Sequence, residues 1–331
     1  MQDGLAVGVV GCGNWGSKHA RALSLLPDVR QLAAIEPNRD RRNAVLSAFP
    51  QARGFEDLES ALPHVSALVI ATPPPTHYAL ALAALRQGKH VLVEKPMTES
   101  THEAVRLLEE ARQSNCVLMT GHVLLFNPGV KELRNRSSQG NLGTICSVHA
   151  RQFSLERSVH GADAVWDLAP HSISVFNDIV GSLPTSVIVR NAYSCEHKDT
   201  IHVELRYNEI GASGFIHIAR GEARKVRTFT VIGTEKWAVY DDLAEDRHQM
   251  YREAPIEGLG LDWSHGFTGA NIEYVEPLVE ELRHFLAAIK DRSVPKSSGR
   301  DGMIAVAVME AIDRSRRTQK PSDVCYPSDL I

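Results

Sequence analysis

The chain has 331 residues, 43% hydrophobic and 23% charged, which is globular usage with room for two domains at roughly 100 to 200 residues each and excludes long disordered tracts. Basic and acidic residues number 36 and 40, a formal charge of -4, so the composition offers no surface for nucleic acid or another polyanion. The five cysteines (Cys12, Cys116, Cys146, Cys195, Cys325) are scattered without CxxC spacing, which indicates neither a metal site nor a disulfide framework and fits a reducing, cytoplasmic setting.

The opening MQDGLAVGVVGCGNWG has no basic region ahead of its apolar run, and no apolar run reaches the ~18 residues of a membrane span, so neither a secretory leader nor a membrane anchor is expected. Without a leader, the Asn135-Arg136-Ser137 sequon reads as chance. Up to about residue 120, apolar runs alternate with helix-period segments: LAVGVV, QLAAI, SALVIA, HVLV and CVLMTG are the strands, and the stretches between them are helical. This βαβα order predicts a parallel sheet covered on both faces. Gly88 marks a helix stop, and Ser100 with Glu103 makes a capping box ahead of the next helix.

The first chemical signal lies at the end of the first strand. Gly11, Gly13 and Gly16 form G-x-G-x-x-G between a strand and a helix, the context in which backbone N–H groups cradle a pyrophosphate. Asn14 and Trp15 lie in the same turn, where Trp15 and Cys12 read as packing residues rather than as stacking or redox groups. Twenty residues past Gly16, Glu36 ends the second strand and can accept from a ribose hydroxyl, which favours NAD over NADP. Arg39, Arg41 and Arg42 are the counter-signal for a 2′-phosphate, against a solvated first turn of the second helix. In ATPPPTH, Thr72, Pro73 and His77 are expected along the cofactor, and Glu94-Lys95-Pro96 terminates a strand whose carboxyl edge is where such sheets place ligands.

After about residue 140 the pattern changes to period-2 strands. In IHVELRY, Ile201, Val203, Leu205 and Tyr207 share one side, with His202, Glu204 and Arg206 on the other. The expectation is α/β: an N-terminal Rossmann dinucleotide-binding domain over 1–120 and a C-terminal α+β domain over 121–331 with a large, mostly antiparallel sheet. The late helical stretches from EPLVEELRHFLAAIKD onward either cover that sheet or return to the first domain. A sheet covered on one face only predicts assembly of the chain into a homodimer or homotetramer.

AVWDLAPHSISVFNDIVG supplies the last constellation. Asp167 sits where a helix could begin with Pro170 in its first turn, and Asp167 and His171 would then share a face as i and i+4 neighbours. Asp167 could equally be an N-cap, and His171 a packed histidine.

Together, the Rossmann fingerprint, Glu94-Lys95-Pro96 and Asp167-x-x-x-His171 make the chain resemble the glucose-fructose oxidoreductase / inositol dehydrogenase (Gfo/Idh/MocA) family over nearly its whole length. The resemblance implies an enzyme that moves a hydride between a sugar or cyclitol hydroxyl and NAD. Lys95 would contact the substrate hydroxyl near the nicotinamide, and Asp167 and His171 would handle the proton. The residues GADAVW replace a glycine run common before the aspartate. WDLAPH and GHVLLFNPGVKEL look more like the branch acting on nucleotide-linked sugars, such as UDP-N-acetylglucosamine 3-dehydrogenases, which adds His122, Asn127 and Trp166 as expected substrate contacts. Arg151 and Arg157 are candidate cations for a diphosphate or else solvated residues of a strand end and loop. A keto-sugar reductase using NADPH and a non-catalytic dinucleotide-binding sensor are the alternatives.

Overall fold

The structure is a computed structural model that describes residues 4–155, 163–195, 198–244, 251–255, 268–269 and 272–327. The apolar runs near the amino terminus become strands because they can be buried on both faces. In chain order the elements are β1 (Leu5–Val10), α1 (Asn14–Ser24), β2 (Val29–Ile35), α2 (Arg39–Ala48), β3 (Arg53–Phe55), α3 (Leu58–Ala61), β4 (Ala67–Ile70), α4 (His77–Arg86), β5 (His90–Glu94), α5 (Thr101–Gln113) and β6 (Leu118–Gly121). All pairings are parallel, in the order β3-β2-β1-β4-β5-β6, so the chain reverses direction across the sheet between β1 and β4 and opens a ligand crevice at their carboxyl ends.

Local signals set the helix ends. Asn38 caps α2 by accepting from the amides of Asp40 and Arg41 at 3.0 Å, and Gly88, at φ 68°, follows α4. At α5 the expected capping box is half formed. Ser100 Oγ accepts from the Glu103 amide at 3.3 Å, but the Glu103 carboxylate takes the amide of Glu99 at 3.2 Å and not that of Ser100.

The second run of elements is α6 (Pro128–Ser138), β7 (Ile145–Ser154), α7 (Ala164–Val180), β8 (Ser186–Cys195), β9 (Lys198–Tyr207), β10 (Ala212–Arg220), β11 (Val226–Gly233), β12 (Lys236–Asp241), β13 (Tyr251–Pro255), β14 (Thr268–Gly269), α8 (Pro277–Asp291), α9 (Gly299–Thr318) and β15 (Ser322–Asp323). Its sheet has nine strands in the order β14-β13-β12-β11-β7-β10-β9-β8-β15, antiparallel except where β7 lies parallel to β10. Alternation divides this sheet into two faces. Val148, Ala150, Ile201, Val203, Leu205, Ile216, Ile218, Phe229 and Val231 are buried, and α7 packs on that side through Phe176 and through Asn177, which accepts from the Tyr207 hydroxyl at 3.1 Å. The opposite face carries His149, Arg151, Phe153, His202, Phe215 and His217.

The chain divides into two compact units, one made of residues 1–123, 276–306 and 327–331 and the other of 124–275 and 307–326. Within the first unit, Arg21 of α1 is ion-paired with Glu276 ahead of α8, and Thr120 of β6 donates its amide to the Ser297 carbonyl at 2.8 Å. No helix of the described residues is long and apolar enough to cross a membrane.

Candidate functional site

The glycine turn after β1 is shaped by close approach. Gly11 lies at φ 86°, where a side chain would be strained, and a Cβ on Gly16 would stand 1.7 Å from the Gly11 carbonyl oxygen. A Cβ on Gly13 would meet nothing within 4 Å, so the space beside this residue is open. Gly13 is also the N-cap of α1, with no side-chain cap and no acidic residue in the first turn. The result is an open helix amino terminus beginning at Asn14, with its dipole uncompensated, and the residues present fit a dinucleotide's pyrophosphate. Trp15, expected both as a packing residue and beside the cofactor, is 40% exposed and carries the Lys18 ammonium 4.6 Å from its ring centroid. Cys12 is buried, and burial together with the charge of Glu36 pushes its thiol up to about 11, which leaves a packing residue.

Glu36 ends its strand with a buried side chain. Its Oε2 accepts from the Cys12 amide at 2.9 Å and its Oε1 from the Asn38 amide at 3.0 Å, so one carboxylate joins the glycine turn to the start of α2. Each oxygen keeps a further lone pair for a ribose hydroxyl. Of the three arginines, Arg39 and Arg41 are exposed, whereas Arg42 turns back and donates to the main-chain carbonyl of Glu36, which corrects its reading as a solvated side chain.

The segment after β4 is tied down by His77. This side chain is 1% exposed, and its ring nitrogens lie 2.8 Å from the carbonyl oxygens of Thr72 and Pro96. It therefore fixes the backbone around Thr72, Pro73 and Pro96, with both ring nitrogens taken up by main-chain carbonyls. Glu94 is likewise enclosed. It is buried, Oε1 lies 2.8 Å from His19 Nε2, and Oε2 accepts from the Lys95 amide at 3.2 Å. Burial works against its charge, but the hydrogen bond and charge of His19, with Lys95, hold the carboxyl below its ordinary value. Lys95 is half-buried at the carboxyl edge of β5, two strands from β1 in the sheet.

In the second unit, α7 begins earlier than the sequence suggested. Its N-cap is Asp163, which accepts from the Val165 amide at 2.8 Å, so Asp167 lies inside the helix and is not its cap, and Pro170 is an interior residue. Arg316 pairs with Asp163 at 2.7 Å, and Trp166 donates its indole N–H to Asp313 at 2.8 Å, so the ring expected at a substrate is fastened to α9. Asp167 and His171 do share a helical face as i and i+4 neighbours. Arg220 of β10, a residue the sequence did not single out, places a buried guanidinium 2.7 Å from the Asp167 carboxylate.

Of the other expected substrate contacts, His122, Asn127 and Arg151 lie among the described residues. His122 is 1% exposed, and burial pushes its imidazole down to about 4, with Lys95 adding to the effect and Glu94 opposing it, so it is an enclosed neutral ring. Asn127 is buried and caps α6, accepting from the Gly129 amide at 2.9 Å while donating to Asp242 at 3.3 Å. Arg151 stacks 5.1 Å from the Phe153 ring centroid on the sheet face opposite α7, so strand alternation separates it from Asp167 and His171. Arg157 lies outside the described residues.

Two family models match this architecture. Residues 5–122 match that of an oxidoreductase family, NAD-binding Rossmann fold, and residues 138–324 match the same family's C-terminal alpha/beta domain. The chain belongs to the Gfo/Idh/MocA oxidoreductase family. Its first unit is thus an NAD-binding domain, and its cofactor is NAD. UDP-N-acetylglucosamine 3-dehydrogenase of Acidithiobacillus ferrooxidans is 28% identical over 86% of this chain and 88% of its own. Myo-inositol 2-dehydrogenase of Thermotoga maritima is 24% identical over 94% of this chain and 96% of its own. Among solved structures, a levoglucosan dehydrogenase in complex with NADH superposes with a TM-score of 0.86 at 22% identity, covering 98% of this chain and 100% of that one.

Proposed function

We propose that this family member transfers a hydride between NAD and a carbinol carbon of a nucleotide-linked sugar, of UDP-N-acetylglucosamine type and reacting at C3. The observation that carries the reaction is Lys95, a cation at the carboxyl edge of β5 in an NAD-binding sheet whose glycine turn is open to a pyrophosphate. The substrate reading is supported by the Acidithiobacillus ferrooxidans relative.

When bound, the nicotinamide supplies the hydride acceptor or donor. Lys95, as an ammonium at the substrate oxygen, stabilises the alkoxide charge that develops there. His171 takes the hydroxyl proton in the oxidative direction, general-base help worth ~10² to 10⁴ in rate. Asp167, gripped by Arg220, supports the imidazolium that results. A cyclitol substrate is the second reading, supported by the inositol dehydrogenase of Thermotoga maritima. The working form is a homo-oligomer, in keeping with the part-exposed face of the second unit's sheet opposite α7 among the described residues.

Turnover of UDP-N-acetylglucosamine, myo-inositol and free sugars, followed by nicotinamide absorbance, tests the reading. It expects reduction of NAD with the sugar nucleotide and its loss in Lys95→Ala and His171→Ala. Turnover of the cyclitol alone would replace the substrate, and a fully active, folded Lys95→Ala protein would end the catalytic assignment.

A further inference from the structure

His19 lies in α1, three residues beyond Gly16, with a side chain 0% exposed. Its Nε2 meets Glu94 Oε1 at 2.8 Å, and because a carboxylate only accepts, the proton of this bond resides on the imidazole. The other oxygen of Glu94 accepts the Lys95 amide at 3.2 Å. A single buried carboxylate therefore spans the helix whose amino terminus takes the pyrophosphate and the peptide that launches Lys95.

The other titratable groups around this carboxylate come from the remaining elements of the unit: the Lys95 ammonium, His122 after β6, and Glu281 of α8, with Asp301 of α9 beside His122. Glu281 is fully buried with neither oxygen hydrogen-bonded, and burial together with the charge of Glu94 raises its carboxyl well above the ordinary value. Taking a His–Glu pair out of water costs about what the attraction returns, so added stability is a poor reason for this pair, and fixed geometry is what it supplies.

We propose that His19 and Glu94 are positioning residues for Lys95, which hold the lysine's peptide in register with the cofactor-binding helix. The proposal rests on the reading of Lys95 as the group that acts on the substrate. It is tested with His19→Phe, His19→Gln and Glu94→Gln beside Lys95→Ala, measuring kcat, KM, the Kd for NADH and, in the protein without cofactor, deuterium exchange at the Lys95 amide. His19→Phe and Glu94→Gln should lower kcat at least tenfold while KM and the NADH Kd stay within threefold, and should speed exchange at the Lys95 amide at least tenfold. His19→Gln keeps an N–H donor and should recover most of the lost kcat. Wild-type kcat in folded His19→Phe and Glu94→Gln overturns the proposal, as does a loss that follows weakened NADH binding or a His19→Gln variant no better than His19→Phe. A dead Lys95→Ala beside a fully active His19→Phe overturns the positioning alone, whereas an active Lys95→Ala removes the reading on which it rests.

Discussion

Glu281 gives up its proton at a higher pH in the folded protein than in the unfolded chain. Its folded pKa lies well above the ordinary 4.5, because burial and Glu94 both oppose its charge. Its contribution to stability is complete below that value and declines as pH rises, by up to ~1.4 kcal/mol per pH unit while the folded group stays neutral. Glu281→Gln keeps the shape without the titration, so denaturant unfolding should show the variant gaining on the wild type between pH 5 and pH 8. His122 acts in the opposite sense. Burial depresses it from 6.5 to about 4, so stability falls as pH drops through that window, and His122→Asn should flatten this acid limb. At Glu36 the carboxylate both repels a 2′-phosphate and holds the Cys12 amide of the glycine turn. Titration of Glu36→Ala with both cofactors should therefore find weaker NAD binding and a narrower gap to NADP than in the wild type, which itself prefers NAD. A gap that does not narrow would assign Glu36 to the turn alone.

Among the elements, α7 separates what was legible from what was not. Pro170 suggested a start near Asp167, since proline favours a first helical turn, but the helix accepts it in the interior at the loss of one hydrogen bond to the Trp166 carbonyl. Asp163→Ala should thus cost ~0.5 to 2 kcal/mol from the lost cap and show a lower Tm, with kcat per folded molecule unchanged. If Asp163→Ala left Tm unmoved, the cap would be carried by other groups. Period-2 alternation located β9, and G-x-G-x-x-G located the cofactor turn, because both are local consequences of backbone geometry. The pairs around the expected site residues are not local. His19 meets Glu94 across 75 residues and Arg220 meets Asp167 across 53, so His19 and Arg220 read in the sequence as ordinary residues until the fold supplies their partners. Strand alternation, in turn, decides the place of Arg151, and that depends on a register that β7 shares with β10, a strand about sixty residues downstream.

At the scale of the whole molecule, the face of the nine-stranded sheet opposite α7 carries a cluster of aromatic and histidine side chains among the described residues. His202 stacks on His217 at 3.9 Å, Phe153 meets His217 edge-on at 4.5 Å, and Phe215 is 38% exposed beside His149. Such a surface suits a second copy under closed symmetry, and light scattering should find a dimer or tetramer at micromolar concentration that Phe215→Glu shifts towards monomer. A monomeric wild type would remove the sheet from consideration. The first unit, meanwhile, is completed only by residues from far along the chain: Ser297 accepts the Thr120 amide with its carbonyl and donates its hydroxyl to the Thr120 carbonyl at 2.5 Å, 177 residues away. During synthesis at ~5 to 20 residues per second, the outer edge of β6 must wait roughly 10 to 35 s on the ribosome for these partners. An open strand edge is a template for mispairing, so the unit that begins first finishes late, with the edge of β6 open to mispairing until its partners emerge.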